Sequence, residues 1–299
     1  MKSLNDRQAR VDLLEKGILA AARKWDHIRP AYKPYVDGLE NLPADGRFLI
    51  VGNHTAVAST EIGLILYEVQ RHLGIRVRAL MDRQFGKLKG FPAEFLAAGG
   101  GIVGEPCAAG ELMSANEPIL VFPGGGREIA KARDELYTLL WGDRAGFARL
   151  AAEYDYPIVT AAVVGGDDVY KILTSRDGVW SRVSGRASEL LSGRTDMAIQ
   201  LMRGIGPTLV PRPQRLYARF SAPIDTTRPA DVAAEDWVAT IRAKTKSTLE
   251  SDLAELQEIR AGDPFRNLAL WSWGAAVMPP ASAAAQSTSA THTEGDVVQ

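Results

Sequence analysis

The sequence predicts an α/β fold with a mixed, mainly parallel sheet covered by helices. Two observations carry the prediction. The short apolar runs Phe48-Leu49-Ile50-Val51, Ile119-Leu120-Val121 and 158–164 read as buried strands bounded by turn residues. Stretches with apolar residues at helical spacing lie between them, and that alternation is the pattern of helix-covered sheets.

Taken in order, the first helix is expected near 7–24. Val11, Leu14, Ile18, Ala22 and Trp25 recur on one face, and Lys2, Arg7, Arg10, Lys16, Arg23 and Lys24 outnumber Asp6, Asp12 and Glu15. Such a helix suits the interface of an anionic membrane, and the same stripe equally suits a surface helix docked on the core. Further strands are expected at 48–51, 77–81, 119–122, 158–164 and 216–220, and further helices at 61–73, 108–115, 128–138, 143–153 and 234–261. A basic stretch through Arg71, Arg76, Arg78, Arg83, Lys87 and Lys89, opposed by Asp82, either meets phosphate groups or is a solvated face. The segment 177–206 is less regular; its Trp180, Leu190, Leu191, Met197, Leu201 and Met202 either line an opening for an acyl chain or, the plainer account, serve core or lid packing. The last helix carries Val238, Ile241, Leu249, Leu253, Leu256 and Ile259 on a repeating face and stops at Gly262 before Asp263-Pro264. Beyond Pro279 the chain is Ala, Ser, Thr and Gln, too poor in apolar side chains to offset ordering entropy, and disorder is expected. The domains expected are an amphipathic helix over 1–30, a catalytic domain over 31–265, and a tryptophan-containing segment with a tail over 266–299.

Composition narrows the function classes. The chain of 299 residues is 46% hydrophobic with a formal net charge of −1, which gives no global attraction to nucleic acid, and no nucleic-acid motif is present. A single cysteine, Cys107, excludes an internal disulfide and a cysteine metal cluster. His27, His72 and His292 have no partner at metal-ligand spacing, and Asp167-Asp168 alone makes no metal site, so no metal is expected. No segment reaches the roughly 18–20 apolar residues of a membrane span, and the charged N-terminus is unlike a signal peptide. These features predict a cytoplasmic protein.

The chemistry concentrates at two strand ends, where open α/β sheets build their sites. After 48–51 comes Gly52-Asn53-His54-Thr55, with Glu61 opening the next helix; after 119–121 comes Phe122-Pro123-Gly124-Gly125-Gly126-Arg127-Glu128. A histidine whose far nitrogen is held by a carboxylate can take the proton of an alcohol for acyl transfer. On a continuous helix the separation of His54 and Glu61 would span about 10 Å, so contact requires Thr55 to Ala58 to fold back. If Ser59 or Thr60 caps the helix, Glu61 sits in its first turn, where the helix dipole favours the carboxylate. The glycine run lacks the Gly-Lys-Ser/Thr of a nucleotide loop and either points N–H groups at an oxyanion or phosphate or makes a tight turn with no ligand. Arg127 is a candidate for a charged ligand group, and Glu128 for orienting Arg127 or capping its helix.

With these blocks, Gly146-Phe147-Ala148-Arg149-Leu150-Ala151, Tyr156-Pro157-Ile158-Val159 and Gly165-Gly166-Asp167-Asp168 complete an ordered series between about Tyr35 and Asp225. The series resembles the glycerolipid and lysophospholipid acyltransferase family, in particular the branch with mono- and diacylglycerol acyltransferases. The resemblance implies the glycerolipid acyltransferase fold, with His54 as catalytic base and Glu61 as its partner. It also implies that Asn53, Thr55, Pro123, Gly124, Gly125, Gly126, Arg127 and Glu128 bind acceptor or donor. The family's usual first motif places aspartate after four intervening residues; Ser59 stands there in this chain. Gly124 replaces the glutamate that commonly follows Phe-Pro, and Gly100-Gly101-Ile102-Val103-Gly104-Glu105 replaces the block with a phosphate-associated arginine. Both departures point away from an obligatory phosphorylated acceptor. The implied activity moves a fatty acyl group from acyl-CoA or acyl carrier protein to the hydroxyl of a glycerolipid, lysophospholipid or other lipophilic alcohol, with no cofactor. The implied setting is peripheral on the inner face of the membrane, with the oligomeric state open. Other readings are a catalytically inactive lipid-binding protein on the same fold, or a (thio)esterase, for which no Gly-x-Ser-x-Gly elbow is present.

Overall fold

The structure, a computed structural model, describes residues 2–192 and 200–280. The tail expected to be disordered lies, from residue 281 on, outside the described residues, as does Met197. In chain order the elements are α1 (Lys2–Tyr32), β1 (Tyr35–Asp37), β2 (Leu49–Gly52), α2 (Thr60–Leu73), β3 (Arg78–Met81), α3 (Phe91–Ala98), β4 (Gly101–Val103), α4 (Pro106–Ser114) and β5 (Ile119–Val121). They continue with α5 (Gly126–Ile129), α6 (Gly146–Glu153), β6 (Ile158–Val164), β7 (Lys171–Ile172), α7 (Val179–Ser192), β8 (Met202–Arg203), β9 (Tyr217–Phe220) and α8 (Ala234–Gly262).

The sheet is seven-stranded in the order β1-β9-β6-β2-β5-β3-β4. Every neighbouring pair is parallel except β6 and β9, so it is the mixed, mainly parallel sheet the apolar runs predict. Alternation along β2 explains why its run is apolar throughout: Leu49 and Val51 join a core with α6 and α8, while Phe48 and Ile50 join a second core with α2. All four side chains are buried, each contributing roughly 1.5–3 kcal/mol.

The differences from expectation have local causes. β1 and β4 are three residues each and β7 and β8 two, too short to show a period. The helix expected over 128–138 is instead α5, ending at Ile129, followed by a 3-10 turn over Arg133–Glu135. The break arises because Lys131 enters the interior, where its Nζ donates to the His54 carbonyl at 2.8 Å. The segment 177–206, read as irregular, contains helix α7. α1 runs longer than expected, and three of its charges are engaged with the domain: Arg10 with Glu94 of α3 at 2.7 Å, Glu15 with Arg76 at 2.5 Å, Arg29 with Glu68 of α2 at 2.8 Å. The tryptophan-containing segment forms a 3-10 turn over Leu270–Ala275 and meets α1 through Trp273, whose indole donates to the Pro30 carbonyl at 3.2 Å.

Candidate active site

The register Val51↔Val121 makes β2 and β5 leave the sheet side by side, bringing His54 and the glycine turn together. Between His54 and α2 the chain folds back through Val57 and Ser59, both at positive φ (61° and 45°). These left-handed residues carry strain of order 1–3 kcal/mol each, a cost met where surrounding structure fixes the backbone. The fold-back returns Glu61 to His54, with Nδ1···Oε1 at 2.6 Å. The second Glu61 oxygen accepts from the Thr55 hydroxyl, and the carboxylate is fully buried. Ser59 stands at the N-cap of α2 but makes no side-chain cap, so the dipole rather than a capping hydroxyl accompanies Glu61 in the first turn.

Main-chain groups of the His54 loop are held by buried charges. Glu128 Oε2 accepts from the His54 N–H at 2.8 Å and its Oε1 from Leu140 N–H at 2.9 Å. Burial pushes the Glu128 carboxyl up, against the opposing pull of Lys131 and these two N–H groups. Lys131 takes the His54 carbonyl and lies 3.6 Å from Asp167, whose other oxygen accepts from Ala56 N–H at 2.5 Å. The imidazole stacks on Phe122 with centroids 4.0 Å apart. Its Nε2 has no hydrogen-bond partner among the described residues, and His54 lines a cavity of about 1180 Å³. The cavity wall is mostly apolar, with Leu66 from α2, Leu80 from β3, Leu96 from α3 and Leu150 from α6. That volume exceeds the roughly 300–1,000 Å³ of ordinary small-ligand sites.

Residues 33–164 match the family model described as Acyltransferase. Over that span the chain is similar to the acyltransferase family. It is 28% identical to phytyl ester synthase 2, chloroplastic, of Arabidopsis thaliana over 78% of this chain and 35% of that enzyme. It is 32% identical to the human DGAT1/2-independent enzyme synthesizing storage lipids over 46% of this chain and 42% of that protein. The chain thus spans well under two thirds of the length of either relative. Among solved structures, the 1-acyl-sn-glycerophosphate (LPA) acyltransferase PlsC from Thermotoga maritima aligns at a TM-score of 0.42 with 16% identity, covering 83% of this chain and 82% of that one.

Within this matched span His54, Pro123, Gly125 and Gly126 line the cavity. Four side chains expected on substrate have other partners. Asn53 pairs with both main-chain groups of Val163 on β6, at 2.9 and 2.8 Å, and Thr55 is bound to Glu61. Arg127 is paired with Glu135 at 2.5 Å, and Glu128 holds the loop rather than Arg127. Gly124 acts through its lack of a side chain, since a Cβ there would meet the Glu128 carboxyl. Gly125 has φ 51° and ψ −142°, a conformation open to glycine.

Arg144 and Lys131 are neighbours of the candidate site that sequence reading did not single out. Arg144 lines the cavity and donates to the carbonyls of Pro123 and Gly124, fixing the glycine turn. Neither belongs to a motif with local spacing, and only the fold brings them to His54. Among the described residues no group of His, Cys, Asp and Glu is placed to hold a metal, and no helix is long and apolar enough to cross a membrane.

Proposed function

We propose that this chain is an O-acyltransferase that moves a fatty acyl group from an acyl thioester, on coenzyme A or a carrier protein, to the hydroxyl of a lipophilic alcohol or glycerolipid. The observation that carries the reading is the His54–Glu61 pair at 2.6 Å with its imidazole on the wall of a large apolar cavity. His54 Nε2 takes the acceptor's hydroxyl proton while Glu61, on Nδ1, fixes the tautomer and stabilises the imidazolium. The acceptor oxygen attacks the thioester carbonyl, the tetrahedral oxyanion collapses, and the C–S bond breaks. The imidazolium returns its proton to the departing thiolate, so the steps are redox-neutral and call for no cofactor. The apolar wall supports a long-chain substrate. The relatives named for phytyl ester and storage-lipid synthesis support a lipophilic acceptor, and an acceptor of that kind supports a peripheral setting on a membrane, which we take to be its cytoplasmic face.

The test is a mass-spectrometric screen of purified protein with isotopically labelled acyl thioester. The acceptors are glycerol phosphate, lysophospholipids, mono- and diacylglycerols and long-chain alcohols. Ester should form with at least one acceptor, and His54→Ala should lower its rate by about 10²–10⁴-fold. Glu61→Gln should lower it while leaving folding intact. Unchanged product from His54→Ala would reject the mechanism, and free fatty acid without ester would assign the site to hydrolysis.

A further inference from the structure

We propose that the segment 83–95, at the mouth of the His54 cavity, is the face by which the protein settles on an anionic lipid bilayer. The proposal rests on the acyltransferase reading for its purpose and on the surface itself for its evidence. Residues 83–92 are exposed without a break. Within and just after them Phe85 is 44% exposed, Leu88 39%, Phe91 64% and Phe95 49%. The Phe91 and Phe95 rings lie 6.1 Å apart in a tilted pair on the first turns of α3. Large apolar side chains gathered in this way on a water-facing surface mark an interaction site.

Charge and continuity identify the occupant. Arg83, Lys87 and Lys89 alternate with the apolar residues, and no carboxylate occurs between Arg83 and Ala93. Glu94, the next acid, is paired with Arg10 of α1 at 2.7 Å. Aromatic and leucine side chains set among lysine and arginine are the composition of a surface that inserts apolar groups below anionic headgroups while its cations stay at the headgroup level. Phe85, Leu88 and Phe95 also line the cavity that holds His54. The side chains that would enter the bilayer are therefore continuous with the wall a lipid chain would follow, so a long-chain acceptor reaches the imidazole without crossing water. An acidic protein would use the three cations but would leave the apolar side chains unexplained. On α1, for which the sequence leaves a membrane interface and a docked surface helix both open, Arg10 is paired with Glu94 and Arg29 with Glu68.

The experiment uses Phe91→Ser and the double variant Lys87→Glu/Lys89→Glu, none of which lines the cavity. Flotation is measured with vesicles of phosphatidylcholine with and without phosphatidylglycerol. Esterification is measured in parallel with a short-chain thioester and a water-soluble alcohol. The parent protein should float with phosphatidylglycerol vesicles, and each variant should partition about tenfold more weakly or worse. The variants should keep their melting temperatures and soluble-substrate rates. Variants that float like the parent, or a parent that does not float, overturn the proposal. Unchanged flotation with a loss confined to carrier-protein thioesters also overturns it and assigns the face to a protein donor. A parent that floats through this face yet forms no ester would leave the docking surface standing and remove the acyltransferase reading.

Discussion

At the scale of single residues, the site depends on which groups each side chain satisfies. Glu128 illustrates this: it accepts from His54 N–H and Leu140 N–H, and the space it fills exists because Gly124 has no Cβ. Gly124→Ala should therefore displace the Glu128 carboxyl, destabilise the fold by about 1–3 kcal/mol, and slow turnover by shifting the His54 loop. Denaturant melts beside rates for the same variant check this; a variant with the parent's stability and rate would show that the loop tolerates the displacement. The same logic explains Lys131, an interior cation kept by the His54 carbonyl and by Asp167 rather than by solvent.

At the scale of elements, ion pairs join the segments around the site. Glu135 binds Arg127 of α5 and Arg176 ahead of α7. Burial raises its carboxyl pKa, but the hydrogen bonds from the two arginines prevail and hold it down to about 2. A carboxylate lowered by folding stabilises fully above its ordinary range, near pH 4.5, and ceases to do so as pH falls through its folded value. Thermal melts should thus show Glu135→Gln less stable than the parent at neutral pH, with the gap closing between about pH 4.5 and 2. At the other end of the sheet, Arg215 and Asp263 form a fully buried pair at 2.6 Å that also receives the Tyr217 hydroxyl, tying β9 to the end of α8. Asp263→Ala leaves the guanidinium buried without its carboxylate and should cost about 3–5 kcal/mol in chemical denaturation. A loss under 1 kcal/mol would mean that water reaches the vacated position.

At the scale of the whole molecule, α2, β3, α3 and α6 all contribute lining residues, so the cavity belongs to the assembly rather than to any motif. Leu80→Trp at its apolar side should shift product distribution towards shorter acyl chains while His54 and Glu61 stay in place. Product mass spectra with a mixed-chain donor read the shift, and an unchanged distribution would place the acyl chain elsewhere. The central strands were legible because β2, β5 and β6 are buried on both faces, which forces unbroken apolar runs such as Leu49-Ile50-Val51. The ends of two of those runs located His54 and the glycine turn, and the chain's need to fold back for Glu61 to meet His54 followed from helix geometry alone. The β1 and β4 strands were hidden by their shortness, and the break after Ile129 by the interior course of Lys131. Sequence by itself determined the layer architecture and the imidazole's address, since both follow from local apolar period and turn chemistry. Only tertiary structure decided that Arg127 faces Glu135 while Arg144 lines the cavity. A side chain's partner depends on which distant segments the sheet order sets beside it, and no local pattern encodes that.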